Sequence, residues 1–264
     1  MKIRSAVESD HSAIRRLWHD CFGDPYEYID FYMQKRFEDQ YCAILELNGE
    51  VVGMIHLLPC TIYPKQKALY WYAAGIRSDK RKQGLFRTFA EYVKNQTNTL
   101  GFQNFCVPAP GLEKYYQSLG FTTPYTASDE IYTKTTQTCE KTVQFEKASA
   151  EDFINFTNAI AGDTFWDEKA IQYAIEENEY CGGKALRFTL EQNNFIFFAI
   201  KKDDGFMITY HNMTKEDFLK VKSAIFNELN CEQLIFRTSG NEKIVGLTDA
   251  KNCHSNSKIT MTLA

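Results

Sequence analysis

Ala73-Ala74-Gly75-Ile76-Arg77-Ser78-Asp79-Lys80-Arg81-Lys82-Gln83-Gly84-Leu85-Phe86-Arg87 is the stretch on which the reading of this chain turns. The apolar run Tyr70 to Ile76 predicts a strand, and a short basic loop follows it. Beyond the loop, Leu85, Phe89, Tyr92 and Val93 recur at spacings that fill one face of a helix. The first N–H groups of a helix have no partner inside it, and the helix dipole places partial positive charge there. Gly84 lets the backbone approach a ligand with no side chain between them. Lys80, Arg81, Lys82 and Arg87 surround the same spot with charge. Two readings remain open at this point, a cradle for a pyrophosphate and an ordinary solvated basic turn. The stretch lacks both the Gly-Lys-Ser/Thr ending of a P-loop and the three glycines of a dinucleotide fingerprint.

A second element, Tyr116-Gln117-Ser118-Leu119-Gly120-Phe121, lies about thirty residues further on. Together the two resemble the GNAT superfamily of acyl-CoA-dependent N-acyltransferases. That family carries Arg/Gln-x-x-Gly-x-Gly/Ala after a strand ending in a branched apolar residue, here Arg81-Lys82-Gln83-Gly84-Leu85-Phe86 after Ile76. It then carries Tyr-x-x-x-Gly-Phe. Phe86 departs from the usual Gly or Ala and resembles the variant loop of the enhanced-intracellular-survival type. The resemblance implies an α/β (α+β) fold, a mixed, mostly antiparallel sheet flanked by helices. It implies acetyl-CoA as co-substrate, held by Ala74, Gly75, Ile76, Arg81, Lys82, Gln83, Gly84, Leu85, Phe86 and Arg87. It also implies that Tyr116 protonates the departing thiolate, which suits a phenol near pKa 10; packing or a hydrogen bond to the cofactor is its other reading.

The chain of 264 residues is 44% hydrophobic and 24% charged, which predicts a globular core. Its net charge of −4 speaks against nucleic acid as a main partner. No apolar run approaches the roughly 20 residues of a membrane span, and the N-terminus has no signal-peptide pattern. The eight cysteines are scattered and the five histidines dispersed. Reduced core thiols, a cytoplasmic location and no metal site are therefore expected.

In chain order, Lys2 to Val7 predicts a strand, and a helix follows with Ile14, Leu17, Trp18, Cys21 and Phe22 inward. After Gly23-Asp24-Pro25, a second helix turns Tyr28, Ile29, Tyr32 and Met33 inward. Asp20, Asp24, Glu27, Asp30, Glu38 and Asp39 crowd this region, either as ordinary solvated faces or, as the resemblance implies, beside a cationic amine. Asn48-Gly49 joins two strands, Tyr41 to Leu47 and Val51 to Leu58, as a hairpin. Pro59 to Lys67 reads as a loop. Phe102 to Val107 reads as a strand, Pro110 as the first turn of a helix over Leu112 to Leu119, and Asp129 to Lys134 as a further strand.

The Thr-rich run 135–138 marks a boundary. The resemblance implies that residues 1–138 form an N-terminal, cofactor-binding GNAT acetyltransferase domain, with 139–264 as a C-terminal domain. In the latter, strand, helix, helix, three strands, helix and strand repeat the order of the first part, so a degenerate GNAT-like fold is expected. Its turn Tyr210-His211-Asn212-Met213-Thr214-Lys215-Glu216 has no glycine or arginine, and Thr214 reads as a plain N-cap. No cofactor is expected there.

The expected activity is direct transfer of an acetyl group to a small amine, with Glu27, Glu113 or a water chain as base. Two other readings stay open. One is a non-catalytic acyl-CoA sensor; the other is an aminoacyl or peptidyl transferase of tandem GNAT-like architecture, which would need a basic channel.

Overall fold

The computed structural model describes residues 1–62, 66–135, 143–157 and 164–250. They fall into two compact units, one of 1–124 with 245–250, the other drawn from 125–244. The boundary expected at 138/139 lies outside the described residues. Strand β6 (Thr123–Thr133) starts earlier than expected and carries the chain into the second unit, where it pairs with β12 (Gln233–Ser239) from Gln233 opposite Thr133 to Ser239 opposite Ala127.

The first unit is built on β1 (Lys2–Ser5), β2 (Cys42–Leu47), β3 (Glu50–Ile62), β4 (Gln66–Ile76) and β5 (Gln103–Cys106). Neighbouring strands run antiparallel except β4 and β5, which are parallel and joined by the crossover helix α3 (Leu85–Thr99). On the far side of β5, the last strand among the described residues, β13 (Lys243–Thr248), pairs antiparallel with Leu247 opposite Cys106. Sequence periodicity does not reveal this strand. One sheet face packs on α3, with Ile55, Leu57, Leu69, Trp71, Phe89, Val93, Cys106 and Leu247 in one buried cluster. Alternation along the strands sends Tyr70 and His56 to the other face, toward α1 (His11–Phe22) and α2 (Tyr26–Lys35).

Several expectations are corrected. Pro59 to Lys67 is not a loop, because β3 continues to Ile62 and β4 begins at Gln66. Pro59 lies past the β2 ladder, which ends at Cys42 opposite His56, and proline is tolerated at such positions. Phe22 and Tyr92 are 47% and 45% exposed rather than inward. Pro110 sits in a turn, and α4 starts at Glu113 and ends at Ser118.

The second unit repeats the first in outline. After β6 come β7 (Glu146–Lys147), α5 (Ala150–Thr157), β8 (Thr164–Phe165) and α6 (Glu168–Tyr180). Then follow β9 (Lys184–Leu190), β10 (Asn193–Lys202), β11 (Gly205–Thr209), α7 (Lys215–Leu229) and β12. β11 and β12 are its parallel pair, spanned by α7 as β4 and β5 are by α3. Phenylalanines 188, 195, 197, 206, 218, 226 and 236 dominate its core.

Candidate functional site

The antiparallel ladder between β3 and β4 slips near the end of β4: Gly53 and Met54 face Ile76 and Gly75, but His56 already faces Tyr72. The extra residue on β4 makes a bulge, with Ala73 in the left-handed region at φ 44°. Bulges re-aim backbone groups at sites, and this one lies where Ala74, Gly75 and Ile76 precede the basic turn. Gly75 has a packing reason of its own. A β-carbon there would stand 3.0 Å from Cys21 Sγ and 3.5 Å from Phe22 Cε2, so the glycine lets α1 close on the strand.

Beyond Ile76 the loop is held by its own side chains. Arg81 Nε donates to the Ile76 carbonyl at 2.8 Å, and Cys21 Sγ lies 3.5 Å from the same oxygen. Arg77 is braced by Asp79 and Glu50. Lys82 and Gly84 both take left-handed backbone, at φ 61° and 75°. Gly84 is the N-cap of α3 and no side chain caps the helix, so its first N–H groups have no side-chain partner. A β-carbon on Gly84 would meet nothing within 4 Å: the residue borders open space. That space is a cleft of about 390 Å³ lined by Ile76, Lys80, Arg81, Lys82, Gly84, Leu85, Phe86, Arg87 and Tyr115. Successive amides in such a turn form a concavity suited to an anion. Gln83 turns back, its side-chain amide donating to the Asp79 carbonyl.

Aromatic rings lead inward from the cleft. Phe86 lies 6.0 Å from Tyr115 and 6.2 Å from Tyr116 between centroids, and Tyr116 lies 5.8 Å from Phe121. Phe86, in place of the small residue of the motif, is therefore part of the wall between cleft and core. Tyr116 is 9% exposed, and burial holds its phenol protonated well above the usual range. Arg87 is turned toward α4: its guanidinium donates to the Ser118 carbonyl and hydroxyl at 3.2 and 2.8 Å. The structure thus gathers Ile76, Arg81, Lys82, Gly84, Leu85, Phe86 and Arg87 at one cleft, with Tyr116 behind its aromatic wall.

The residues considered as base are elsewhere employed or exposed. Glu113 accepts from the Gly111 N–H at 3.2 Å, and Glu27 is exposed. Of the acidic residues around α1 and α2, Asp24 accepts from Trp18 Nε1, Asp30 pairs with Arg15 and Asp39 pairs with His11. Sequence reasoning passed over His56, a lone histidine in an apolar strand. It is fully buried, with Nδ1 3.1 Å from Tyr32 Oη and Trp18 packed edge-on at 5.1 Å. Burial lowers its pKa to about 3, so it is neutral.

The corresponding corner of the second unit has a capped helix start. Tyr210 has a positive φ of 45°, as Ala73 has, but α7 is capped by its own residues. Asp217 Oδ2 accepts from the Thr214 N–H at 3.1 Å and from its hydroxyl, while the Asp217 N–H donates to Thr214 Oγ1. A carboxylate already occupies the end of this helix where an anion would lie. Among the described residues there is no group of three or more His, Cys, Asp or Glu placed to hold a metal ion, and no helix long and apolar enough to cross a membrane.

Residues 2–123 match a family model described as an acetyltransferase (GNAT) domain. No curated protein matches the chain in sequence. Solved structures share the fold over nearly its whole length. A putative acetyltransferase from Pyrococcus horikoshii superposes with a TM-score of 0.61 at 12% identity, covering 98% of this chain and 92% of that one. A GCN5-related N-acetyltransferase from Anabaena variabilis gives 0.66 at 11%, covering 94% and 70%. Eis1 from Mycobacterium abscessus gives 0.59 at 9%, covering 89% of this chain and 64% of its own. Residues 2–123, in which Arg81–Phe86 border the cleft and Tyr116 stands behind the wall made by Phe86 and Tyr115, carry an acetyltransferase domain of the GNAT family.

Proposed function

We propose that the first unit transfers an acetyl group from acetyl-CoA to an amine by direct attack. The observation that carries this reading is the uncapped start of α3, opening on a cleft whose walls carry Lys80, Arg81, Lys82 and Arg87. The residues present fit the diphosphate of the donor: Gly84 borders open space where any other residue would project a side chain. Lys82, Gln83, Gly84, Leu85 and Phe86 would offer backbone N–H groups to it, and Lys80, Lys82 and Arg87 would add charge. Arg81 acts indirectly, through its bond to Ile76, by fixing the turn.

Acetyl-CoA supplies an activated acyl carbon and a thiolate leaving group. The bulged end of β4, Ala73 to Gly75, offers main-chain groups for a chain laid alongside as an added strand. Tyr116 holds its proton up to high pH, and in this reading it gives that proton to the sulfur. The second unit takes no donor in this reading, since Asp217 fills the end of α7. Domain assignments of 1–138 and 139–264 follow the same division of labour, with the exchange of β6 and β13 as a refinement.

Calorimetric titration of the whole chain with CoA tests the reading. Binding is expected and should be lost in Gly84→Glu. Absence of heat with CoA at millimolar concentration rejects it; binding without any thiol release across a panel of amines would favour a sensor.

A further inference from the structure

The hairpin that joins β9 to β10 in the second unit stands between two clefts. One, of about 640 Å³, has Gln144, Asp152, Asn155, Arg187 and Thr189 in its walls. The other, of about 500 Å³, has Gln192, Asn193, Asn212 and Asp217. Asn194 and Phe195 belong to both, so the two adjoin along one wall. Each has the size of a small-ligand site. The larger one opens where a ladder gives out: β7 pairs with β9 only at Glu146 opposite Arg187 and Lys147 opposite Leu186. Ahead of Glu146 the pairing ends, and Gln144 and Thr189 line the cleft together.

The lining excludes most ligand classes. Arg187 is clasped already, by Glu146 at 2.6 and 3.0 Å and by Asp152 at 2.9 Å. With Asp217, three carboxylates stand against that one guanidinium, which disfavours an anion. Asp152 and Asp217 are themselves occupied in capping α5 and α7, so neither is free to seize a cation. Phe188 and Phe195 stack on each other at 5.2 Å and are 3% and 5% exposed, so neither ring offers a face to a flat base.

What remains are groups that both donate and accept hydrogen bonds. Gln144, Asn155, Gln192 and Asn193 are exposed, and among the described residues their carboxamides make no hydrogen bond. Thr189 Oγ1 donates to Asn194 Oδ1 at 2.8 Å, which leaves the Asn194 amide hydrogens available. Asn212 fixes this wall: Oδ1 accepts from the Ile196 N–H at 3.0 Å and Nδ2 donates to the Asn194 carbonyl at 2.9 Å. The turn itself is strained. Leu190 faces Asn193, so Glu191 and Gln192 are its central residues, with φ of 51° and 72°. Such turns favour glycine and asparagine, whereas here two longer side chains are kept in left-handed backbone. Strain of that kind collects at binding sites, and this turn sets Gln192 in the wall of the smaller cleft.

We propose that the two clefts form one groove for an uncharged oligosaccharide. Sugar hydroxyls donate and accept as the carboxamides do, and the carboxylates keep lone pairs for them. A ring in each cleft, with Asn194 between, calls for a chain of sugars rather than one. The groove lies within the second unit and does not rest on the acetyl-transfer reading.

The experiment titrates the whole chain by calorimetry with maltotriose, cellotriose and triacetylchitotriose, and with the anionic trigalacturonic acid. At least one neutral trisaccharide should bind at millimolar concentration or below, more tightly than its own monosaccharide and than the acid. Asn194→Ala, at the shared wall, should weaken that sugar roughly three- to tenfold, the worth of one net hydrogen bond. Asn155→Ala and Gln192→Ala, one from each cleft, should each do the same. All three positions are exposed, so the variants should melt close to the unaltered protein. No heat with any neutral trisaccharide, equal affinity for the monosaccharide or the acid, or unchanged affinity in Asn194→Ala overturns the groove. Titration with CoA reports on acetyl transfer separately, whichever way the sugars come out.

Discussion

Replacing Tyr116 by phenylalanine isolates a single proton. The ring is held on three sides, 6.2 Å from Phe86 and from Tyr115 and 5.8 Å from Phe121, and phenylalanine fills the same space. Stability should therefore barely change, with a melting temperature within about 2 °C of the parent for a loss well under 1 kcal/mol. The chemistry should change far more. Burial keeps the phenol protonated above its usual range, so the acid form is fully populated throughout any practical assay. A positioned general acid is worth about 10²–10⁴ in rate. A buried phenol whose pKa is raised is a reluctant donor, which places Tyr116 toward the lower end. A fall in kcat of about ten- to a thousand-fold is expected, or about 1.4–4 kcal/mol of transition-state stabilisation. Thiol release should be followed at saturating acetyl-CoA with kcat and KM separated, KM moving less than kcat. A donor with a more acidic thiol should recover much of the loss. An unchanged kcat in a variant that melts like the parent removes Tyr116 from proton transfer.

Gly84→Glu should abolish CoA binding in calorimetry, because its left-handed backbone disfavours a side chain and a carboxylate would enter the cleft; undiminished affinity refutes the cradle. Asn104→Leu should lower the melting temperature by about 10 °C, for a loss of about 3–5 kcal/mol. Asn104 is fully buried, accepts from Trp71 Nε1 at 2.8 Å, and donates from Nδ2 to Asp249 at 3.0 Å, so removal strands partners on two elements. His56 gives a pH signature. Its folded pKa, about 3, lies below the unfolded value near 6.5, so the unfolded chain binds the extra proton. Stability from the neutral ring is fully present above about pH 6.5 and declines as pH falls toward 3. Thermal melts between pH 6.5 and 4.5 should show this slope, about 1.4 kcal/mol per pH unit at most, and His56→Phe should flatten it. An identical slope in that variant would assign it elsewhere.

What could be read from the sequence was what is local. The strand, turn and helix around Gly84 are consecutive in the chain, and each carries its own signal: apolar run, positive-φ glycine, helical period. The cap of α7 was equally plain, because Thr214 acts within three residues. β13 was hidden because its partner Cys106 lies far back in the chain and six residues carry little periodicity. Pro59 misled because a proline usually breaks a ladder, and only the end of β2 at its neighbour His56 makes it tolerable. His56 gave no signal at all: full burial of a histidine is a property of three-dimensional surroundings that no local pattern carries.

β13 also has a temporal meaning. The residues that flank Asn104, Thr248 and Asp249, leave the ribosome only after residues 125–244 of the second unit have been synthesised. Until then the outer edge of β5 is bare, and the buried amide behind it lacks its acidic partner. A nascent chain, or one clipped near residue 240, holds every side chain of the donor cleft and still cannot complete the platform beneath it. Completion of the sheet beneath the cleft thus waits on β13, made more than a hundred residues after the strand it covers.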